Sequence, residues 1–273
     1  MDRDDDRIAR NARTALYVHG ARAPWSVVLF HGLTNHPGQY VDFAPELYVL
    51  GINVIVPRMP LHGYVDRLTR DIRNLTAEML VAAAYEAVDA ARGVGECTAV
   101  LGISMGGLQC AYLGQYRGDV AVCVPVAPDF GLMRMSREVT DFLCRVLLRL
   151  PNFFLWWDPR VKAAMHPVSA YPQFSTHALM QTLRIGNAVF SAARRLPAQA
   201  ARITSVVNPS DPAVNNNETR QTVDEWRRRR PSGIEYVELS GLPKNHDIVD
   251  PDNPLAKIDL VYPKLIELLN LSS

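Results

Sequence analysis

The chain has 273 residues, of which 48% are hydrophobic and 21% are charged, and its formal net charge at pH 7 is +1. This length and apolar content can bury the core of one large α/β domain that carries an insertion. The near balance of charge argues against a polyanionic partner such as nucleic acid and against electrostatic recruitment to a membrane surface.

The first residues and the cysteines bear on the compartment in which the protein works. Residues 1–7 are rich in Asp and Arg, whereas a secretory signal needs a basic start followed by an apolar core. Apolar runs such as residues 99–103 are far shorter than the roughly 20 residues that cross a bilayer. The four cysteines form no Cys-x-x-Cys pair and have no histidine partners at metal spacing. We therefore expect a cytoplasmic enzyme with reduced thiols, no integral membrane association, no metal and no other cofactor.

From residue 25 onward, short apolar runs alternate with longer helical patterns, which is typical of a parallel sheet built from β-α-β crossovers. Gly51 is expected to cap the first helix, and the alanine-rich helix over residues 71–92 is the clearest of all. Up to residue 126 the predicted order is strand 25–31, helix 40–50, strand 52–57, helix 71–92, strand 97–103, helix 105–116 and strand 120–126.

The alternation breaks between residues 129 and 201. This stretch contains two predicted helices, an aromatic-dense run over residues 152–157, and prolines at positions 159, 167 and 172. We expect a helical cap insertion over residues 129–201, set above an α/β core domain formed by residues 1–128 and 202–273. The predicted elements from the insertion onward are helix 141–150, helix 176–196, strand 202–207, helix 218–230, strand 234–239 and helix 255–271.

A serine lies between a predicted strand and a predicted helix, in the run Gly102-Ile103-Ser104-Met105-Gly106. In Gly-x-Ser-x-Gly, small residues two before and two after the serine let strand and helix approach closely at a sharp turn. Such a turn exposes the hydroxyl in a strained position at the edge of the sheet. Ser104 is therefore a candidate nucleophile, which needs a base, an orienting acid and an oxyanion site.

Other reactive residue types also follow predicted strands, where an open parallel sheet binds its ligands. The first strand ends at a His-Gly-Leu-Thr-Asn-His run over residues 31–36. Asp211 follows the strand over 202–207, and His246 comes after the last strand. A histidine suits the role of base, because its ordinary pKa of about 6.5 lets it accept and return a proton near neutral pH.

The order Ser104, Asp211, His246 and the strand contexts resemble the α/β-hydrolase superfamily over most of the chain. Within it, the motifs His-Gly-Leu-Thr at 31–34, Pro-Arg-Met-Pro-Leu-His-Gly at 57–63 and Gly-Ile-Ser-Met-Gly-Gly at 102–107 are similar to carboxylesterases and monoacylglycerol-lipase-like enzymes. The resemblance implies an α/β-hydrolase fold, in which a mostly parallel central sheet is flanked by helices and carries a helical cap insertion.

The resemblance also implies roles for particular residues. His246 would take the proton of Ser104 and later give it to the leaving alcohol, while Asp211 would orient the imidazole. The backbone N–H groups of Leu33 and Met105 would form the oxyanion hole. His31 is expected to shape the oxyanion loop rather than to act as a base.

Two further carboxylates compete with Asp211 for the role of acid. Asp129 follows the strand over 120–126, where some α/β-hydrolases place their acid, and Asp247 is adjacent to His246. We rank Asp211 first, because its Ser-Asp-Pro-Ala-Val turn also matches the acid turn of the resembled esterases. Neighbouring residues seldom aim their side chains at each other, so Asp247 is expected to be structural.

The sequence therefore predicts a serine hydrolase that cleaves small to medium carboxylic esters, with a small-molecule ester as its partner. Two alternatives stay open: the same triad acting on a thioester, an amide or a carbon–carbon bond, and a small-ligand sensor on the same fold. The aromatic run over residues 152–157 is equally consistent with an acyl pocket and with aromatics that dock the insertion on the sheet.

Overall fold

The computed structural model describes residues 6–132, 135–158 and 170–271. The described residues contain nine strands, β1 to β9, and seven α-helices, α1 to α7. The strands are Ala15–Tyr17, Ala23–Phe30, Asn53–Val56, Gly95–Ile103, Val122–Val126, Phe154–Trp156, Gln173–Ser175, Arg202–Val207 and Ile234–Glu238. The helices are Phe43–Val49, Ala77–Val94, Met105–Tyr116, Arg137–Leu147, Thr176–Ala193, Asn216–Arg229 and Ile258–Leu269.

Seven strands form one mostly parallel sheet in the order β1-β3-β2-β4-β5-β8-β9. Only β1 runs antiparallel to its neighbour, and it covers one edge of the sheet. The strand that leads to Ser104, β4, lies in the centre, where it pairs with β2 on one side and β5 on the other. The carboxyl ends of β2, β4, β5, β8 and β9 therefore meet at the same edge of the sheet.

Successive side chains of a strand point to opposite sides of the sheet, and helices cover both sides. The sheet is therefore buried on both faces. On β2, Val28 faces an apolar layer that contains residues of α2, α3, α5 and α6. The neighbouring Val27 and Leu29 face a second layer, which contains residues of α1 and α7. The expected α/β fold, with helices on both sides of a parallel sheet, is confirmed.

The predicted helix over residues 71–92 is two elements in the structure. A 3₁₀ turn at Asp71–Asn74 is followed by α2, which starts at Ala77 and runs through Gly93 to Val94. The hydroxyl of Thr76 accepts a hydrogen bond from Met79 N at 3.1 Å, so Thr76 caps the helix and separates it from the turn. The apolar periodicity continues across the break, which is why the sequence pattern hides it.

Between β5 and β8 the structure contains more than helices. Helix α4 begins at Arg137, four residues earlier than predicted, and strands β6 and β7 form a two-stranded antiparallel sheet that the sequence pattern did not predict. Three-residue strands are too short to show alternation. Positions 159 and 167, two of the prolines noted in the insertion, lie outside the described residues.

One buried ion pair joins this segment to the core. Arg137, at the start of α4, lies 2.7 Å from the carboxylate of Glu218 on α6, and both side chains are less than 10% exposed. The Arg137 guanidinium also lies over the ring of Phe190, 3.6 Å from its centroid. Within the described ranges, the protein has no helix with the length and apolarity that a bilayer crossing requires.

Candidate active site

Ser104 lies at the sharp turn between β4 and α3. Its backbone has a φ of 59° and a ψ of −116°, a region that residues other than glycine rarely adopt. The turn is held by hydrogen bonds on both sides: Ser104 N donates to Val126 O at 3.0 Å, and Asp129 N reaches Ser104 O at 3.5 Å. The strain is thus stored at the serine and maintained by the neighbouring strand β5.

The two glycines of the motif lie where strand and helix touch. A Cβ built on Gly102 would lie 2.5 Å from the carbonyl oxygen of Gly106. A Cβ on Gly106 would overlap the carbonyl of Phe30 on the adjacent strand β2. Larger side chains at either position would push α3 away from the sheet, so these glycines permit the sharp turn.

His246 and Asp211 are brought together by the loops that follow β9 and β8. The imidazole Nδ1 of His246 and Oδ2 of Asp211 are 2.7 Å apart, a hydrogen-bond distance. The second oxygen of Asp211, Oδ1, accepts hydrogen bonds from the backbone N–H of Ala213 at 2.8 Å and of Val214 at 3.3 Å. The carboxylate is therefore held rigidly, while Nε2 of His246 is left for another partner.

Electrostatics favour the charged form of this histidine. Burial disfavours the imidazolium, but the nearby carboxylates, first Asp211 and then Asp129 and Asp247, outweigh it and raise the pKa of His246 above its ordinary value. The side chain is 25% exposed, so one edge of the ring is open to an incoming group. A histidine in this setting can hold a proton transiently.

Asp129 is buried in the loop after β5, close enough to Asp211 and His246 to interact electrostatically with them. Burial, reinforced by the charge of Asp211, raises the pKa of Asp129 to about 6, and His246 opposes this rise. No donor in the described part of the chain reaches Oδ1 of Asp129. The carboxylate that hydrogen-bonds to the imidazole is thus Asp211, and Asp129 acts on His246 only through space.

The loop after β2 lies against the serine turn. A Cβ built on Gly32 would be 3.6 Å from Cβ of Ser104, so the residue before Leu33 lies against the serine. The backbone N–H of Leu33 and that of Met105, the first residue of α3, have no acceptor in residues 6–132, 135–158 and 170–271. A backbone amide without an acceptor near the serine hydroxyl can bind an oxyanion.

His31 is fully occupied by backbone contacts. Its Nδ1 lies 2.9 Å from Gly32 O, and its Nε2 accepts a hydrogen bond from Met59 N at 3.0 Å. Burial, followed by the nearby His62, lowers the pKa of His31 well below its ordinary value. Its contacts agree with the expected loop-shaping role. His36 is also buried and caps a short 3₁₀ helix over Pro37–Tyr40, so it does not face solvent.

Sequence reasoning missed one polar bridge between the loop after β2 and the loop that carries His246. Gln39 accepts a hydrogen bond from Gly32 N at 2.9 Å and donates one to Asp247 Oδ2 at 2.7 Å. Asn35 donates to the same oxygen of Asp247 at 3.3 Å and to Asp250 at 3.2 Å. The contacts of Asp247 fit the structural role expected for it. No local pattern marks Gln39, because one of its two partners, Asp247, is 208 positions away in the chain.

The aromatic run over residues 152–157 does not converge on one pocket. Phe153 and Trp157 are 54% and 44% exposed, and Phe154 lies under the guanidinium of Arg70. The indole N–H of Trp157 donates to Thr34 Oγ1 at 2.9 Å, in the loop after β2. One member of the run thus contacts the site, and the others serve packing or face solvent.

The sheet order, the serine at a strained turn and the hydrogen-bonded His–Asp pair define an α/β-hydrolase. The family model described as "Serine aminopeptidase, S33" matches residues 21–227, which is more than half of the chain. The chain therefore belongs to this family of α/β-hydrolases. The expected superfamily is confirmed, and so is the expectation of an enzyme of the hydrolase class.

Solved structures support the same fold. A monoacylglycerol lipase from Paleococcus ferrophilus is 20% identical with a TM-score of 0.71, and the match covers 95% of this chain and 98% of that one. A structure reported for LipS and LipT, two metagenome-derived lipolytic enzymes, is 17% identical with a TM-score of 0.69 and coverages of 97% and 100%. A soluble variant of the monoglyceride lipase from Saccharomyces cerevisiae is 14% identical with a TM-score of 0.60 and coverages of 95% and 92%. A search of the curated proteins finds no match to this sequence.

Proposed function

We propose that the protein is a serine ester hydrolase that works through an acyl-enzyme intermediate on Ser104. The observation that carries the proposal is the 2.7 Å hydrogen bond between His246 and Asp211 at the sheet edge where Ser104 occupies its strained turn. Asp129 connects the serine turn with the His246–Asp211 pair, because its amide reaches the carbonyl of Ser104 and its carboxyl interacts electrostatically with His246.

In the first half of the proposed reaction, Nε2 of His246 accepts the proton of Ser104 Oγ while Oγ forms a bond to the ester carbonyl carbon. The carbonyl electron pair moves onto its oxygen, and this oxyanion accepts hydrogen bonds from the amides of Leu33 and Met105. The carbon–oxygen bond to the alcohol then breaks, and the imidazolium returns the proton to the leaving oxygen. An acyl-serine and a free alcohol result.

Water completes the cycle in the second half. His246 accepts a proton from the water as its oxygen attacks the acyl carbon, and it then gives the proton to Ser104 Oγ as the acid leaves. Asp211 holds the imidazole with Nδ1 protonated and stabilises the imidazolium in both halves. The raised pKa of His246 suits this role, because the imidazolium is the form that exists between the two proton transfers.

For the substrate, we propose esters with small to medium acyl groups, of the monoacylglycerol type. The support is the likeness in fold to monoacylglycerol and monoglyceride lipases. The description of the family names an aminopeptidase, which favours amides as the second candidate. Both reactions use the same acyl-enzyme chemistry and differ in the leaving group.

The test is a series of p-nitrophenyl esters from acetate to palmitate, together with a 1-monoacylglycerol and an alanyl p-nitroanilide. Wild type is compared with Ser104→Ala and with Ser205→Ala, a control that removes a buried hydroxyl from β8. We expect ester turnover in wild type and in the control, and only background turnover in Ser104→Ala. Labelling by a fluorophosphonate should follow the same pattern.

Three results would contradict parts of the proposal. Unchanged ester turnover in Ser104→Ala would remove Ser104 as the nucleophile. Faster cleavage of the anilide than of every ester would replace the ester proposal by the amide one. A wild type that neither turns over any substrate nor reacts with the fluorophosphonate would favour a sensor on this fold.

A further inference from the structure

Thr34 directly follows Leu33 in the oxyanion loop and has an unusual backbone. Its φ is 69°, and only 4% of the residue is exposed. A β-branched residue rarely adopts a positive φ, because its Cβ substituents collide with the backbone there. Such a conformation persists only where neighbouring contacts hold it.

Two contacts from outside the loop hold Thr34. The indole Nε1 of Trp157 donates a hydrogen bond to Thr34 Oγ1 at 2.9 Å, and the backbone N–H of Tyr171 donates to the carbonyl of Thr34 at 2.8 Å. Trp157 follows β6 directly, and Tyr171 precedes β7 by two residues. Both residues belong to the segment between β5 and β8, and Trp157 is 123 positions away from Thr34.

The two-stranded sheet of β6 and β7 and the residues beside it are held in place by further contacts. Trp157 N donates to Pro172 O at 3.1 Å, and the rings of Trp157 and Phe174 have centroids 4.3 Å apart. Tyr171 is buried, and its hydroxyl donates to Leu61 O at 3.2 Å. The contacts to Thr34 therefore come from a structure that is itself fixed on the core.

Leu33 lies between two fixed points. On one side, the amide of Gly32 is held by Gln39 at 2.9 Å. On the other side, Thr34 is held by Trp157 and Tyr171. The Leu33 N–H lies in the same peptide plane as Gly32 O, which His31 Nδ1 contacts at 2.9 Å and Asn35 N at 3.1 Å. The contacts on Gly32 N and on Thr34 fix the backbone on either side of this plane.

We propose that Trp157 and Tyr171 are positioning residues for the oxyanion hole, which act through Thr34 on the amide of Leu33. This inference rests on the proposed function, because it assumes that Leu33 N–H binds the oxyanion. It makes the competence of the core site depend on the segment between β5 and β8. A ligand or a substitution that shifts the small sheet should therefore change the rate constant of acyl transfer.

The contact between Trp157 and Thr34 can be removed with little change of shape. Trp157→Phe keeps an aromatic ring against Phe174 and deletes the donor. Thr34→Val keeps the β-branch, and with it the backbone strain, and deletes the acceptor. Both single variants and the double variant are assayed on the best p-nitrophenyl ester, with active sites counted by fluorophosphonate labelling. The control is Trp226→Phe, which deletes an indole hydrogen bond to Gln115 within the core.

We expect kcat per labelled site to fall about 10- to 100-fold in each single variant, because small misplacements of a catalytic donor have effects of this size. KM should change by less than about twofold, because the oxyanion forms only in the transition state. The double variant should lose no more than either single variant, since both delete the same hydrogen bond. Trp226→Phe should keep the kcat of wild type.

Three outcomes overturn the inference: unchanged kcat in both single variants, losses that multiply in the double variant, or a rise in KM without a fall in kcat. If wild type turns over ester and Ser104→Ala does not, these outcomes leave the proposed function intact. If wild type is inert toward every ester and toward the fluorophosphonate, the proposed function and this inference are both overturned.

Discussion

Replacing Asp211 by asparagine tests the proposed acid. Oδ1 of Asp211 accepts two backbone hydrogen bonds, from Ala213 N at 2.8 Å and Val214 N at 3.3 Å. In Asp211→Asn these donors should hold the amide oxygen in the same place, and the NH₂ group should therefore face Nδ1 of His246. The imidazole would then have to accept at Nδ1 and carry its proton on Nε2, where it could not accept the proton of Ser104.

The size of the loss follows from two limits. A histidine locked in the wrong tautomer lowers kcat by roughly 10⁴-fold, which corresponds to about 5 kcal/mol of activation free energy. If the new amide group turned by half a rotation, its oxygen would face Nδ1 and restore an acceptor there. The backbone N–H groups of Ala213 and Val214 would then lack acceptors, at a cost of about 1–3 kcal/mol each. At the lower limit, about 2 kcal/mol in total, roughly one molecule in 30 has the turned amide, so we expect kcat to fall by between about 30-fold and 10⁴-fold.

The assay measures kcat per fluorophosphonate-reactive site on one p-nitrophenyl ester, with Asp129→Asn as the matched control. Asp129 is buried near His246 but acts on it through space, so its replacement should lower kcat less than that of Asp211. A larger loss in Asp129→Asn than in Asp211→Asn would refute the reasoning and transfer the role of acid to Asp129. Equal and small losses would refute the need for an orienting carboxylate.

Three further predictions concern the loop, the pH profile and the buried ion pair. Gln39→Leu should lower kcat roughly tenfold with little change in KM, because Gly32 N loses its acceptor and the neighbouring Leu33 amide loses a support. The control is Gln115→Leu, which removes a buried amide from the core and should keep the kcat of wild type. Since the base must be neutral and the pKa of His246 is raised, kcat/KM should fall with decreasing pH around a midpoint above 6.5; a midpoint below 6.5 would contradict the geometry. Arg137→Met should lower the free energy of unfolding in urea by about 3–5 kcal/mol, because Glu218 is left buried and unpaired. The exposed pair of Arg220 and Glu238 offers the comparison: Arg220→Met should cost less than about 1 kcal/mol, and equal losses would refute the argument from burial.

Elements with a strong local pattern could be predicted from the sequence almost to the residue. Helix α3 over Met105–Tyr116 and strand β8 over Arg202–Val207 have the predicted bounds. The sequence pattern missed β1 at the sheet edge and the sheet of β6 and β7, because strands of three residues are shorter than any period that could reveal them. It also joined the 3₁₀ turn at Asp71–Asn74 to α2, because apolar spacing continues across the cap at Thr76.

For the candidate site, the sequence by itself determined the set of residues to consider. Ser104 has a local motif, and the parallel sheet dictates that reactive side chains follow strands, which selects Asp211, Asp129 and His246 without any coordinates. Only the tertiary structure decided that Asp211 is the carboxylate hydrogen-bonded to His246, at 2.7 Å.

The tertiary structure alone also brings Gln39 to Asp247 across 208 positions and Trp157 to Thr34 across 123. The physical reason is that these features depend on interactions between residues at different separations along the chain. Helix caps, turns and apolar periods depend on neighbours within a few residues, so they are written locally in the chain. A hydrogen bond between distant side chains depends on how whole layers pack, and no local pattern encodes that packing.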